Sequence, residues 1–376
     1  MLIYSNNVWI NEKFISATLE IDEGKIKSIS YEKKPNAKDY GNNHIIPGMI
    51  DIHTHGYGGG SSTDGDPEVI RRWVKYYPKE GVTTFLPGVM VRVEERIKSS
   101  LAAIATVKEE NIKGAEIYGI FLQAPFLDHE YCGTYDKFLI QKPTVEHLKE
   151  YIKISKNNIK TISLAPEHDD NHEVLKYCVA NGIKVCLGFS GCSYEEAMQS
   201  IEEGAINVVH CFNCMAPLLS RDPHLPGAAL TNDKVYSEVM ADGIHVHPAV
   251  LNLVGRMKGK DRLITVTDSS NMKGLKPGFY HTDVRDITVC EDGVGRMPNG
   301  KIAGSMKMMI ENVKNLQEIG HLPLVTAINA ATINPARMLG IDDQKGLIKE
   351  GYVADLAVYD HEYKIIQTYV HGEEML

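Results

Sequence analysis

The residues best suited to chemistry fall at the ends of apolar runs. The run His44–His55 closes with Asp51-Ile52-His53-Thr54-His55-Gly56. On a strand, residues i and i+2 point to the same side, so His53 and His55 present their imidazoles together. Two neutral imidazoles held this way chelate one divalent metal. Taken alone, they are equally two ordinary polar residues at a strand end. The glycine-rich stretch Gly56-Tyr57-Gly58-Gly59-Gly60 follows, a backbone built for close approach. The run Asn207–Asn213 carries His210, either a further ligand or a hydrogen-bonded core histidine. The run Arg262–Asp268 ends in Val266-Thr267-Asp268-Ser269. Here Asp268 is either a helix N-cap or a metal ligand that takes a proton from water, the base that hydrolysis needs. His245, in Asp242-Gly243-Ile244-His245-Val246-His247, is placed to contact a substrate, while His247 reads equally as a surface residue. Arg221, between Pro217 and Pro223, is a phosphate-binding arginine or a loop charge. Cys211 and Cys214 have C-x-x-C spacing, but strand alternation turns Cys211 away from His210, and small buried cysteines account for the pair.

These side chains converge only if the elements that carry them do. Eight apolar runs can be counted: His44–His55, Val82–Val89, Glu116–Phe126, Lys160–Glu167, Lys184–Phe189, Asn207–Asn213, Tyr236–Val246 and Arg262–Asp268. Amphipathic stretches lie between most of them, including Pro67–Tyr77, Glu94–Lys108, Thr144–Ser155, Tyr194–Glu203 and Pro248–Lys258. Eight strand–helix units predict an α/β fold, a closed (β/α)₈ TIM-like barrel over residues 48–344. Such barrels keep their active site at the C-terminal strand ends, where the candidates lie. No G-x-G-x-x-G follows a strand, which disfavours a dinucleotide fold. Residues 1–47 and 345–376 read instead as short strands with turns, predicting a small β-sandwich domain assembled from both termini.

Composition narrows the function classes. The 376 residues carry a net charge of −9, without the basic excess of a nucleic-acid or anionic-membrane binder. An acidic chain still binds a phosphorylated molecule through one local Arg or Lys. The seven scattered cysteines make poor material for a disulfide framework and suit a reducing cytoplasm. Neither a signal peptide nor an uninterrupted transmembrane run is evident. The expectation is a cytoplasmic protein with a small-molecule partner, and neither nucleic acid nor membrane.

Longer segments carry a resemblance. Pro47–Gly56, Leu164-Ala165-Pro166-Glu167, His210–Met215 with Pro217-Leu218, Gly227-Ala228-Ala229, Ala241–Pro248, Thr267-Asp268, Ile302-Ala303-Gly304-Ser305 and Asn334–Gly340 resemble the N-acetylglucosamine-6-phosphate deacetylase family of amidohydrolases. The resemblance spans nearly the whole chain. It implies a metal-dependent barrel with a β-sandwich, and hydrolysis of the acetamide of a 6-phosphorylated amino sugar. It also implies a divalent zinc, iron or manganese ion and a homodimer. Asp268 would be general base and metal ligand, and His245 would lie near the substrate. Asn213 and Arg221 would lie near the phosphate, Arg221 across the dimer interface.

Three departures from the family fall around the pocket it implies. Where the family has Leu-Glu-Gly-Pro with a metal-binding Glu, this chain has Leu122-Gln123-Ala124-Pro125; where it has Gly-His, this chain has Gly188-Phe189. The histidine expected after Lys-Gly-Ala is matched by Tyr135, a candidate substrate contact. An amide oxygen is a weaker ligand than a carboxylate, and a phenyl ring is none. One family site thus keeps His210 and Gln123, while the site of His53, His55 and Asp268 is intact, which points to one metal per chain. No lysine near Pro166-Glu167 offers a carbamylated bridge. Two other readings stay open: a paralogue with a different substrate, and a catalytically weak sugar-phosphate-binding protein.

Overall fold

Eight parallel strands follow one another around a barrel in the computed structural model, which describes residues 1–281, 286–302 and 304–376. Ala303, within one of the resembling segments, lies outside the described residues. The strands are β1 (Met49–Thr54), β2 (Val82–Val89), β3 (Ile120–Leu122, preceded by the short piece Glu116–Ile117), β4 (Ile159–Leu164), β5 (Lys184–Leu187), β6 (Asn207–Val208), β7 (Tyr236–Val239) and β8 (Leu263–Thr265). Each pairs in parallel with its neighbours from β1 to β8. Ile50, Ile52, Leu86, Phe121, Val209 and Val266 belong to a core cluster of their own, while Phe85, Val89, Ile162 and Val185 pack in the larger cluster that includes helix residues.

The surrounding helices are α1 (Pro67–Tyr76), α2 (Glu94–Glu109), α3 (Val145–Ile154), α4 (Glu173–Ala180), α5 (Tyr194–Glu202), α6 (His224–Thr231), α7 (Pro248–Arg262) and α8 (Met309–Glu318). Local chemistry starts several of them. The side chains of Asp66, Thr144 and Ser193 accept first-turn N–H groups of α1, α3 and α5. Pro67 and Pro248 fill opening positions where a missing N–H costs nothing. Two helices follow α8, Leu324–Ala331 and Ile333–Leu339.

The first apolar run does not form one strand. His44–Pro47 pairs antiparallel with Leu356–Tyr359, whereas β1 begins at Met49. Gly48 stands at the break, where a Cβ would lie 2.3 Å from Thr83 Oγ1, so the chain passes with no side chain at all. Both ends of the sequence build one eight-stranded sheet, including Leu2–Ile10, Lys13–Asp22, His44–Pro47, Leu356–Tyr359 and Ile365–Val370. It has its own core of Ile3, Leu19, Ile26, Leu356 and Tyr369. A buried ion cluster fastens it to the barrel: Lys345 Nζ lies 2.8 Å from Glu116 Oε2 and 2.5 Å from Asp355 Oδ2.

Two features frame the site. No ladder joins β8 to β1 among the described residues. Two hydrogen bonds close that seam at its top, Asp268 N–H to His53 O (2.9 Å) and His55 N–H to Ser269 O (3.0 Å). Beyond β8 the chain adds a three-stranded antiparallel sheet, Gly278–His281, Asp286–Val289 and Gly295–Arg296, whose Ile287 reaches the pocket wall.

Candidate metal centre and substrate pocket

His53 and His55 sit at the top of β1 on the same side, ring centroids 5.1 Å apart. Between them Thr54 points away and bonds Ser269 Oγ at 2.7 Å. Asp268 completes a cage. Its Oδ1 lies 3.5 Å from His53 Nε2 and 3.3 Å from His55 Nε2, and one ligand atom from each residue lies within 4.8 Å of the others. The cage is polarised for a cation. His55 Nδ1 donates to Gly88 O at 3.0 Å, which leaves the Nε2 lone pair facing inward, buried and without a hydrogen-bond partner. Burial opposes charge on Asp268, but the His53 and His55 rings outweigh it and hold the carboxyl well below the usual carboxylate range. Burial likewise opposes protonation of His53, and the charges of Asp268 and Glu238 raise it nonetheless. Two nitrogen donors and one oxygen donor fit a borderline divalent ion such as zinc, iron or manganese.

Behind the cage stands a layer that sequence reading missed. Glu238, buried on β7, accepts from His53 Nδ1 at 2.8 Å and from Asn207 Nδ2 at 2.5 Å. Its acceptance fixes the His53 proton on Nδ1 and turns the Nε2 lone pair toward the cage, where the Gln123 amide nitrogen meets it at 3.0 Å. The signal was present in the sequence. A carboxylate inside Tyr236-Ser237-Glu238-Val239, a strand covered on both faces, must have a partner. Asp51, fully buried two residues before His53, accepts from Thr267 Oγ1 at 2.6 Å and ties β1 to the residues after β8.

The pocket opens over the cage. His55, Asp268, His245, His210, Gln123, Tyr135, Phe189, Asn213 and Arg92 line it, with His53 behind them. Gln123 Nε2 lies 3.0 Å from His53 Nε2, and its Oε1 accepts from Tyr135 Oη at 2.7 Å. Phe189 meets the His210 ring edge-on, centroids 4.5 Å apart. His210 stands outside the three-residue cage, and both its ring nitrogens are buried and unpaired. Burial, with the His53 ring beside it, pushes the His210 imidazole down to about 3, so it is neutral. Burial also opposes charge on His245, but its 2.5 Å bond to Asp242 Oδ2 raises it. Phe189 (φ 50°), His210 (φ 29°) and Asp268 (φ 42°), after β5, β6 and β8, all take left-handed backbone. Such conformations cost about 1–3 kcal/mol each and gather at functional sites.

A family model described as the amidohydrolase family matches residues 44–375. The chain belongs to the amidohydrolase family. Among its relatives, the N-acetylglucosamine-6-phosphate deacetylase of Vibrio furnissii is 31% identical over 95% of this chain and 90% of its own. An N-acetylgalactosamine-6-phosphate deacetylase of Escherichia coli O157:H7 is 29% identical over 88% of this chain and 87% of its own. In structure, an Asp-to-Ala mutant of N-acetyl-D-glucosamine-6-phosphate deacetylase from Mycobacterium smegmatis, in complex with N-acetyl-D-glucosamine-6-phosphate, superposes with a TM-score of 0.93. The match is 26% identical and covers 100% of this chain and 99% of that one.

Of the sequence-derived candidates, this amidohydrolase gathers His53, His55, Asp268, His210, Gln123, Tyr135, His245 and Asn213 around one pocket. Arg221 is exposed on the Pro217–Pro223 loop and does not line it. Arg92, which does, carried no sequence signal beyond its charge. Cys211 and Cys214 are buried and half-buried, and burial pushes each thiol up to about 12. Thiols held there stay protonated and make poor metal ligands.

Proposed function

We infer that this amidohydrolase is a metal-dependent deacetylase that removes the acetyl group from an N-acetylated amino-sugar 6-phosphate. The observation that carries the reading is the cage of His53, His55 and Asp268 at the floor of the pocket, with its one inward lone pair on His55 left unpaired. These three residues would hold one divalent ion per chain. Bound there, the ion would act as a Lewis acid and lower the pKa of water. Asp268, kept ionised, takes the proton of the attacking water and returns it to the leaving nitrogen. Glu238 keeps the His53 Nε2 lone pair turned toward the cage. Tyr135 and His245 position the sugar. Asn213, whose Nδ2 is buried without a partner, and Arg92 meet the phosphate from the pocket wall. Gln123 serves as the link between His53 and Tyr135.

Arg221 faces solvent, which supports a homodimer in which it reaches the phosphate subsite of a neighbouring copy. Seven unpaired cysteines support a cytoplasmic location. No helix among the described residues is long and apolar enough to cross a membrane. A mere sugar-phosphate binder has no use for a metal cage backed by a buried carboxylate, and the amino-sugar-phosphate deacetylases among the relatives weigh against a paralogue with a different substrate.

The test is amine release from N-acetylglucosamine 6-phosphate and N-acetylgalactosamine 6-phosphate, with zinc, iron or manganese supplied. The expected result is metal-dependent turnover of at least one sugar. Tight binding of both without amine release would refute the reading.

A further inference from the structure

His210 is the pocket residue whose surroundings the metal cage leaves unexplained. Its side chain is 3% exposed, and it lines the pocket beside His55 and Asp268. Neither ring nitrogen has a hydrogen-bond partner. Whichever neutral tautomer it adopts, an imidazole carries one N–H donor and one acceptor. Buried polar groups are almost always paired, so an unpaired one facing a pocket marks a place where a ligand supplies the partner.

Its neighbours narrow what that partner is. The Phe189 ring closes on His210 at 4.5 Å, with planes at 82°, and offers no ligand atom to a second ion. The Gln123 amide is committed to His53 and Tyr135. The cage atoms of His53, His55 and Asp268 converge without His210, although the His53 and His210 rings stand 5.5 Å apart. The free nitrogens of His210 therefore flank the place where a substrate reacts, beside an apolar wall that keeps water off them.

From this we propose that His210 is a catalytic hydrogen-bond donor and not a metal ligand. Its ring N–H meets the carbonyl oxygen of the substrate acetamide and stabilises the charge that builds there. The proposal rests on the deacetylase reading above. In the step it serves, the water oxygen bonds to the acyl carbon while Asp268 accepts the water proton. The carbonyl π pair moves onto the oxygen that His210 holds. The carbon–nitrogen bond then breaks as Asp268 returns the proton to nitrogen, giving acetic acid and the free amine. His210 keeps its own proton throughout. A preorganised donor in a water-excluded site is worth far more than the same bond in water.

The experiment compares the parent with His210→Ala, which removes the N–H, and His210→Asn, which retains one. For each, kcat and KM are measured together with metal affinity by competition against a chromophoric chelator. The expected outcome for H210A is a loss of about 10²–10³-fold in kcat with little change in KM. H210N should lose less, and both should bind metal as the parent does. A tenfold loss of metal affinity in H210A makes His210 a ligand, and an unchanged kcat makes it a packing residue; either overturns the proposal. If H210A does not fold, His210→Phe fills the space without an N–H and answers the same question. A parent that releases no amine fails the deacetylase reading and this donor with it. An active parent matched by H210A fails the donor alone.

Discussion

Replacing Glu238 by glutamine asks how much of the metal site lies behind its ligands. In the native arrangement the carboxylate accepts from two close buried donors, His53 Nδ1 at 2.8 Å and Asn207 Nδ2 at 2.5 Å, with the His210 backbone N–H farther off at 3.5 Å. A glutamine presents one oxygen and one NH₂ group, so one of those donors now meets another donor. If the NH₂ faces the ring, His53 must carry its proton on Nε2, and the lone pair aimed at the cage is lost. If the oxygen faces the ring, Asn207 loses its acceptor and the charge behind the metal is gone. Changes of this kind cost about 10–100-fold in metal affinity, or about 1.4–2.7 kcal/mol. Glu238→Ala goes further. It leaves both donors unpaired at about 1–3 kcal/mol each, a large part of a total stability of about 5–15 kcal/mol. The assay is chelator competition with zinc, paired with thermal melting of the metal-free protein. E238Q should weaken zinc binding tenfold or more while the metal-free melting temperature moves little. Zinc affinity within twofold of the parent would refute the argument. So would a metal-free protein destabilised by as much as the binding energy lost, because Glu238 would then serve the fold alone.

Asp268→Asn should lower kcat by about 10²–10⁴-fold, the usual range for a lost general base, while equilibrium binding of the sugar phosphate persists; near-parental kcat would exclude the role. The double substitution Gln123→Glu with Phe189→His should raise metal content from one ion per chain toward two, read by elemental analysis of purified protein, because His210 then gains a carboxylate and an imidazole as co-ligands. Acid stability should pass through Glu116. Burial opposes its ionisation, but the His371 hydrogen bond and the Lys345 charge lower it from 4.5 to about 2. A carboxylate depressed in the folded state stabilises above its unfolded value. Up to about 3 kcal/mol is therefore present above pH 4.5 and lost as pH falls toward 2. Urea midpoints measured between those limits should drop for the parent and flatten for Glu116→Gln.

The barrel was legible because its signals repeat. Eight apolar runs separated by helical stretches leave few alternatives, and the i, i+2 spacing of His53 and His55 carries their orientation with it. Other features depend on what packs alongside. The His44–His55 run reads as one strand until Thr83 is known to press on Gly48. The Asn207–Asn213 run is far longer than Asn207–Val208, because the buried loop after β6 is as apolar as the strand. Glu238 hid inside a run counted for its hydrophobicity. The relation of His210 to the cage turns on a left-handed backbone angle that no spacing rule encodes. Arg221 cannot be placed from one chain when its proposed partner is a second copy.

The seam between β8 and β1 joins the first barrel strand to the last, and the same residues frame the cage. His53 and His55 arrive on one lip, Asp268 and Ser269 on the other, and two backbone bonds stitch them. An ion gripped by all three side chains would act as a clasp across the junction of the ring that, among the described residues, no strand ladder closes. Stripping the metal should then be felt mechanically, as faster amide exchange at His55 and Asp268, before any change reaches the far side of the barrel. Loosening the closure and blunting the chemistry would then be a single event.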